Sequence, residues 1–138
     1  MIVCIFVESS EHFKERVKDW FKERKMQVRF VESEANVDKL TELLFEHARD
    51  DTQLVLVLGG VDVRSRAVSS IALKRIADER IYTLETYLCE YIAENCPECL
   101  LTSPTVGLRN RTIMISLPDH EVIFKLLSLI LSTLERGG

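Results

Sequence analysis

Gly59, Gly60, Asp62, Arg64 and Arg66 fall within one short stretch, LVLVLGGVDVRSRAVSS, directly after an apolar run. Without side chains, glycine N–H groups can approach an anion closely, and a helix starting after the turn adds the positive end of its dipole. Arg64 and Arg66 offer charge-assisted hydrogen bonds. Residues of these types at the end of a strand suit phosphate binding. The plainer reading of the same stretch is a tight strand-to-helix turn with solvated arginines.

The second set with chemical potential is CPEC, Cys96 to Cys99. A Cys-x-x-Cys pair is half a zinc site or a redox pair. The strong zinc pattern needs a second pair, and none follows. Cys89 lies seven residues before Cys96, on the preceding helix, and His120 becomes a ligand only if folding brings it near. A thioredoxin-like motif would open a helix after the first strand, whereas CPEC follows a helix. The favoured reading is buried small hydrophobes on a turn. No metal site is assigned, and the redox or metal role of Cys96 and Cys99 stays open. A disulfide between them would close a small, strained loop. His12 and His47 sit among charged residues and read as solvent-facing. No Ser/His/Asp or Cys/His arrangement is legible.

The elements that must hold these residues follow from periodicity. IVCIFV and QLVLVL are continuous apolar runs, the mark of strands buried on both faces. MQVRFVE alternates and reads as a strand, as does RTIMISLP. Phe13, Val17, Trp20 and Phe21 recur at helical spacing, with Ser9 or Ser10 placed to cap. Val37, Leu40, Leu44 and Ala48 mark a second helix. Val68, Ile71, Ala72 and Ile76 mark a third, and Leu84, Leu88, Tyr91 and Ile92 a fourth. Asp119 is placed to cap a final helix carrying Val122, Ile123, Phe124, Leu126, Leu127, Leu129, Ile130, Leu131 and Leu134. Those residues cover most of its circumference, more than one sheet face needs. The surplus packs inside a large core or makes a subunit contact, and the second is preferred.

Strands alternating with helices predict a three-layer α/β/α domain, spanning 1–138, with a mostly parallel sheet. Ligands of such sheets sit beyond the carboxyl ends of strands. LGGVD and SLPDH are both such ends.

The 138 residues are 46% apolar, enough for a core, and the net charge of −4 argues against a nucleic-acid partner. The first strand lacks the basic start and cleavage site of a signal peptide, and the last apolar run is too short and too charged to span a bilayer. Four cysteines without a disulfide framework fit a reducing compartment. A cytoplasmic protein without a membrane partner is expected.

Over nearly its whole length the chain resembles the MogA/MoaB-like molybdopterin-binding family. That family runs from a strand into TTGGTG, three variable residues, RD, one residue and Thr. Here VLGGVDVRSRAVS aligns without a gap, and Gly59, Gly60, Arg66 and Ser69 match. IADERIYTLE resembles the family's ADRE…GE segment and puts Glu85 at its glutamate. In CLLTSPTVGLRNRTIMISLPDHE, Gly107, Arg109, Arg111, Thr112, Leu117 and Pro118 match; Thr102 and Ser103 replace the family's Ser-Arg, and Asp119 replaces a glycine.

The resemblance implies a homotrimer or a hexamer and a pocket for molybdopterin or its adenylylated form. It also implies ATP- and Mg²⁺-dependent adenylylation of molybdopterin where the family's activity is retained. The ligand-binding candidates it marks are Gly59, Gly60, Arg66, Ser69, Glu85, Thr102, Ser103, Pro118 and Asp119. Asp62 and Glu85 are the candidates for catalysis.

The departures bear on that chemistry. Ala67 and Ser33 stand where the family has metal-holding aspartates, with Glu34 beside Ser33 to reach in. Asp62 places a negative charge in the phosphate path, where like charges about 4 Å apart repel by roughly 4 kcal/mol at an effective dielectric of 20. Asp62 is alternatively a residue tolerating the left-handed backbone in place of a glycine, or a replacement metal ligand. The expectation is a remodelled site that binds a pterin, nucleotide or other small anion, with adenylyl transfer lost or altered. An active adenylyltransferase is the alternative.

Overall fold

Side chains alternate across a sheet, so a strand that is apolar at every position needs cover on both faces. The computed structural model describes residues 1–49 and 51–137 and provides that cover. The strands are β1 (Ile2–Val7), β2 (Val28–Ser33), β3 (Leu54–Leu58), β4 (Glu79–Arg80), β5 (Thr105–Arg109) and β6 (Thr112–Leu117). The helices are α1 (Glu11–Glu23), α2 (Val37–His47), α3 (Val68–Ile76), α4 (Tyr82–Asn95) and α5 (Ile123–Gly137). Two 3₁₀ turns, Val63–Ser65 and Pro97–Cys99, complete the described elements.

The strands form one sheet in the order β2-β1-β3-β6-β5-β4. The first four are mutually parallel, and β5 and β4 continue the sheet antiparallel. Cys4, Phe6, Leu56 and Leu58 face a core closed by α1, α4 and α5. Val3, Ile5, Val55 and Val57 face a second core closed by α2 and α3. The three-layer α/β/α architecture expected from the sequence is what forms. Ser10 Oγ accepts the Phe13 N–H at 3.1 Å and Asn36 Oδ1 that of Lys39 at 3.0 Å, capping α1 and α2.

Two expectations are corrected at α5. Asp119 does not cap it. His120 holds the entry turn instead: its Nδ1 accepts the Val122 N–H at 3.0 Å and its carbonyl that of Ile123 at 3.2 Å. The helix therefore begins later than a cap at Asp119 requires. Its apolar surplus is also largely internal. Ile123, Leu126, Leu127 and Ile130 are buried, and Val122, Phe124, Leu131 and Leu134 pack around them in the core shared with α1 and α4. Of the apolar side chains on this helix, Leu129 alone reaches 37% exposure. No helix among the described residues is long and apolar enough to cross a membrane.

Three residues shared with the resembled family around β5 and β6, Gly107, Arg109 and Thr112, make structural contacts here. A Cβ on Gly107 would lie 2.8 Å from the Ala77 Cβ, so glycine lets β5 pass under the end of α3. Arg109 donates to the Ile76 carbonyl at 2.8 Å, and Thr112 Oγ1 donates to the Thr52 carbonyl at 2.7 Å.

Candidate functional site

The carboxyl ends of β3 and β6 lie side by side, because the two strands are paired in parallel from Leu54 to Leu58. The chain leaves β3 through Gly59 and Gly60, both left-handed, at φ +99° and +70°. A side chain at Gly59 would meet the Val7 carbonyl oxygen at 2.7 Å, and one at Gly60 would collide with Ser69 Oγ. Ser69 clamps this turn: its hydroxyl donates to the Gly59 carbonyl at 2.7 Å and its N–H to that of Gly60 at 2.9 Å. Ser69 is fully buried, and its donors are engaged within the turn. Arg66 is exposed, left-handed, and points its N–H at the Val63 carbonyl.

A cleft of ≈ 180 Å³ opens beside this turn, lined by Gly60, Val61, Asp62, Glu98, Cys99, Thr102, Pro118, Asp119 and His120. Five of the sequence candidates, Gly60, Asp62, Thr102, Pro118 and Asp119, are thus brought together. Gly59 lies just beneath, 3.5 Å from Asp119 Oδ2 by its missing Cβ. Arg66, Ser69, Ser103 and Glu85 do not line the cleft. The Ser103 carbonyl accepts the Ser70 hydroxyl, and its N–H donates to the Val61 carbonyl. Glu85 forms a two-pronged pair with Arg80 at 2.8 and 2.9 Å and accepts the Val106 N–H at 2.9 Å. It ties α4 to the edge of the sheet.

Asp62 is not left-handed, as one reading required; it is extended, at φ −73°. Arg66 and Ala67 take the left-handed positions, at φ +70° and +46°. Asp62 instead caps the first 3₁₀ turn, its Oδ1 accepting the Arg64 N–H at 2.8 Å while Oδ2 accepts from the guanidinium at 2.7 Å. That guanidinium holds the Asp62 carboxyl below its ordinary range. Both oxygens are occupied, which disfavours Asp62 as a replacement metal ligand.

Asp119 is exposed on its outer side and lies against the Gly59 turn on its inner side. Partial burial there raises its carboxyl pKa, and the Ser9 hydroxyl and His120 act in the opposite direction. Among the described residues, the cleft lining contains three carboxylates and neither lysine nor arginine. The guanidinium of Arg64, beside the cleft, is engaged by Asp62.

The donor set for Mg²⁺ expected from the resemblance does not fit. Ala67 precedes α3 with no side-chain cap and no oxygen to offer. The Ser33 hydroxyl donates to the Glu34 carbonyl, and the Glu34 carboxylate pairs with Lys39 at 2.9 Å. Glu34 lines a separate depression with Glu32 and Glu42 and does not reach in.

The expectation of unpaired cysteines is also corrected. Pro97–Cys99 is a 3₁₀ turn that brings the Cα atoms of Cys96 and Cys99 to 5.3 Å, and their sulfurs are bonded. Both remain buried, as expected of small hydrophobes. Folding does bring His120 near: its ligand atom and the two sulfurs all lie within 4.8 Å of one another. Glu98, which sequence reasoning passed over, joins them through His120 Nε2 at 3.1 Å. No sequence signal announced that meeting, which depends on the strand order that sets β6 beside β3.

The architecture can be compared with solved structures. A molybdopterin biosynthesis protein from Mycobacterium abscessus superposes with a TM-score of 0.82 at 15% identity, over 98% of this chain and 94% of that one. This chain has a MogA/MoaB-like fold. The Mog protein of Mycobacterium ulcerans gives a TM-score of 0.80 at 14% identity, covering 98% and 97% of the two chains. The tungsten cofactor synthesizing protein MoaB from Pyrococcus furiosus gives 0.74 at 16%, covering 98% and 94%. No family model and no curated protein matches the sequence. The MogA/MoaB-like frame therefore extends along nearly the whole chain.

Proposed function

We propose that this MogA/MoaB-like domain serves molybdenum or tungsten cofactor metabolism without the adenylyl transfer that the family resemblance implies. It binds a pterin- or nucleotide-derived anion at the edge between the Gly59-Gly60 turn and the Pro118-Asp119 turn. The observation that carries this reading is the cleft's charge. Asp62, Glu98 and Asp119 line it, and Ala67 stands where the resembled family has a metal-holding aspartate. Phosphoryl chemistry rests on positioning and on neutralising charge, and this lining opposes both. A bare phosphate is repelled, so binding requires an accompanying cation. At ≈ 180 Å³ the cleft is smaller than the 300–1,000 Å³ of typical small-molecule sites, so it grips one group of the ligand rather than enclosing it.

The backbone frame supports the relation to the pathway. The retained glycines shape a turn at the strand end where α/β sheets bind ligands, and the solved structures sharing the frame include cofactor-biosynthesis proteins. A homo-oligomer, trimer or hexamer, belongs to the same proposal.

Calorimetry with molybdopterin and with ATP, each with a divalent cation and with a chelator, tests it. Binding that depends on the cation, without adenylylated product, is expected. Absence of binding under every condition overturns the ligand reading; steady product formation overturns the loss of transfer.

A further inference from the structure

We propose that, once its disulfide is reduced, CPEC joins His120 in a Cys₂-His-Glu site for a thiophilic divalent cation of the zinc class. The four donors are Cys96 Sγ, Cys99 Sγ, the His120 imidazole and the Glu98 carboxylate. The inference stands on these donors and does not depend on the pterin reading.

The spacing is that of a ligand shell. Around tetrahedral zinc, with Zn–S near 2.3 Å and Zn–N or Zn–O near 2.0–2.1 Å, neighbouring donors lie about 3.3–3.8 Å apart. Glu98 Oε2 lies 3.1 Å from His120 Nε2 and 3.9 Å from Cys96 Sγ. The sulfurs and the imidazole lie within 4.8 Å of one another. Shifts of at most about 1.3 Å complete the shell, apart from the separation of the sulfurs that reduction permits. Pro97 rigidifies the turn that presents both sulfurs and Glu98.

Burial is graded in the direction a metal needs to enter. Cys96 and Cys99 are 1% and 5% exposed, while the side chains of His120 and Glu98 are 39% and 72% exposed. The sulfurs form the floor and the imidazole and carboxylate the rim. Glu98, Cys99 and His120 also line the cleft beside Gly60, so the ion would sit at its mouth. Two thiolates select zinc-class ions over Mg²⁺.

The proton inventory is explicit. A phosphine reduces the Cys96–Cys99 bond; water gives its oxygen to the phosphine oxide, and its two protons go to the two sulfurs. Metal binding then releases both thiol protons. Neutral His120 accepts the Val122 N–H at Nδ1, so its proton is on Nε2, toward Glu98. Ligation through Nε2 moves that proton to Nδ1 and breaks the contact with Val122. Metal and entry turn are thereby coupled. The disulfide excludes the metal, so loading belongs to the reduced chain.

The test uses the full chain, reduced with excess phosphine and freed of metal by a chelator that is then removed. Co²⁺ is titrated as the probe, followed by Zn²⁺ in competition. The expected result is one Co²⁺ per chain, with sulfur-to-cobalt charge transfer, the intense visible bands of four-coordinate cobalt, and full displacement by Zn²⁺. Cys96→Ser abolishes the signal. His120→Ala and Glu98→Gln, which alter exposed side chains, each weaken Zn²⁺ binding at least about 10-fold while thermal melts show folded protein. Absence of the cobalt bands in the reduced wild type overturns the proposal, as does wild-type affinity in either His120→Ala or Glu98→Gln.

Discussion

Ala67 combines two unfavourable features at a single residue. It is left-handed at φ +46°, buried, and precedes α3 without a side-chain cap. Alanine is poor on both counts, since the left-handed region strains its Cβ and an N-cap wants a small polar group or glycine. Ala67→Gly is expected to stabilise the protein by about 1 kcal/mol in urea unfolding. Asp62 is the other instructive residue. Its native carboxyl is held below its ordinary range by Arg64. A depressed native pKa gives stability that is present above the unfolded value near 3.8 and lost as pH falls through the native one. Asp62→Asn is therefore expected to unfold more easily than wild type at neutral pH. The two stability curves converge in acid below both pKa values; a gap that persists there contradicts the ion-pair account. The family resemblance sets Asp62 in the expected phosphate path. The sequence did not show Arg64 folding back over it, because a contact two residues along the chain depends on a 3₁₀ turn that has no periodicity to read.

Among the elements, the long apolar strands and periodic helices were legible because burial on a regular spacing leaves a pattern. β4 and β5 left none. β4 is two residues long, and β5 contains Gly107 and Arg109, each kept for a contact outside the strand. Glu85 was read as a ligand-binding candidate because its position matched a family glutamate. In the fold its carboxylate joins Arg80 to the Val106 N–H and pins α4 on that same edge. Glu85→Ala leaves a partly buried guanidinium and a backbone donor without their partner. The expected loss is about 1–3 kcal/mol by denaturant unfolding. Co²⁺ binding by the reduced chain is expected to be unchanged, since Glu85 lies outside the cleft. The turn after β3 was legible from its two glycines. Gly60→Ala forces a Cβ onto Ser69 Oγ at a positive φ, and a loss of about 1–3 kcal/mol is expected.

At the scale of the whole molecule, the sheet order decides which distant segments become neighbours. β6 inserted beside β3 carries His120 and Asp119 to the Gly59-Gly60 turn, and the Asp62–Thr102 bridge brings the CPEC turn to the same place. Spacing along the chain cannot express that convergence, so the sulfur–imidazole cluster emerged only in three dimensions. The same scale changes the reading of α5. Its apolar surplus fills the core between α1 and α4, so an oligomer does not need that helix as its contact. Light scattering at micromolar concentration is expected to report a trimer or hexamer, and a monomer there contradicts the proposed assembly. The proposal that this site does not carry out adenylyl transfer rests on Asp62, Glu98 and Asp119 lining the cleft. The most direct test of that claim is incubation of the purified chain with molybdopterin, ATP and Mg²⁺, following adenylylated molybdopterin over time. The account predicts product at the rate of the protein-free control; sustained multiple turnover would contradict it.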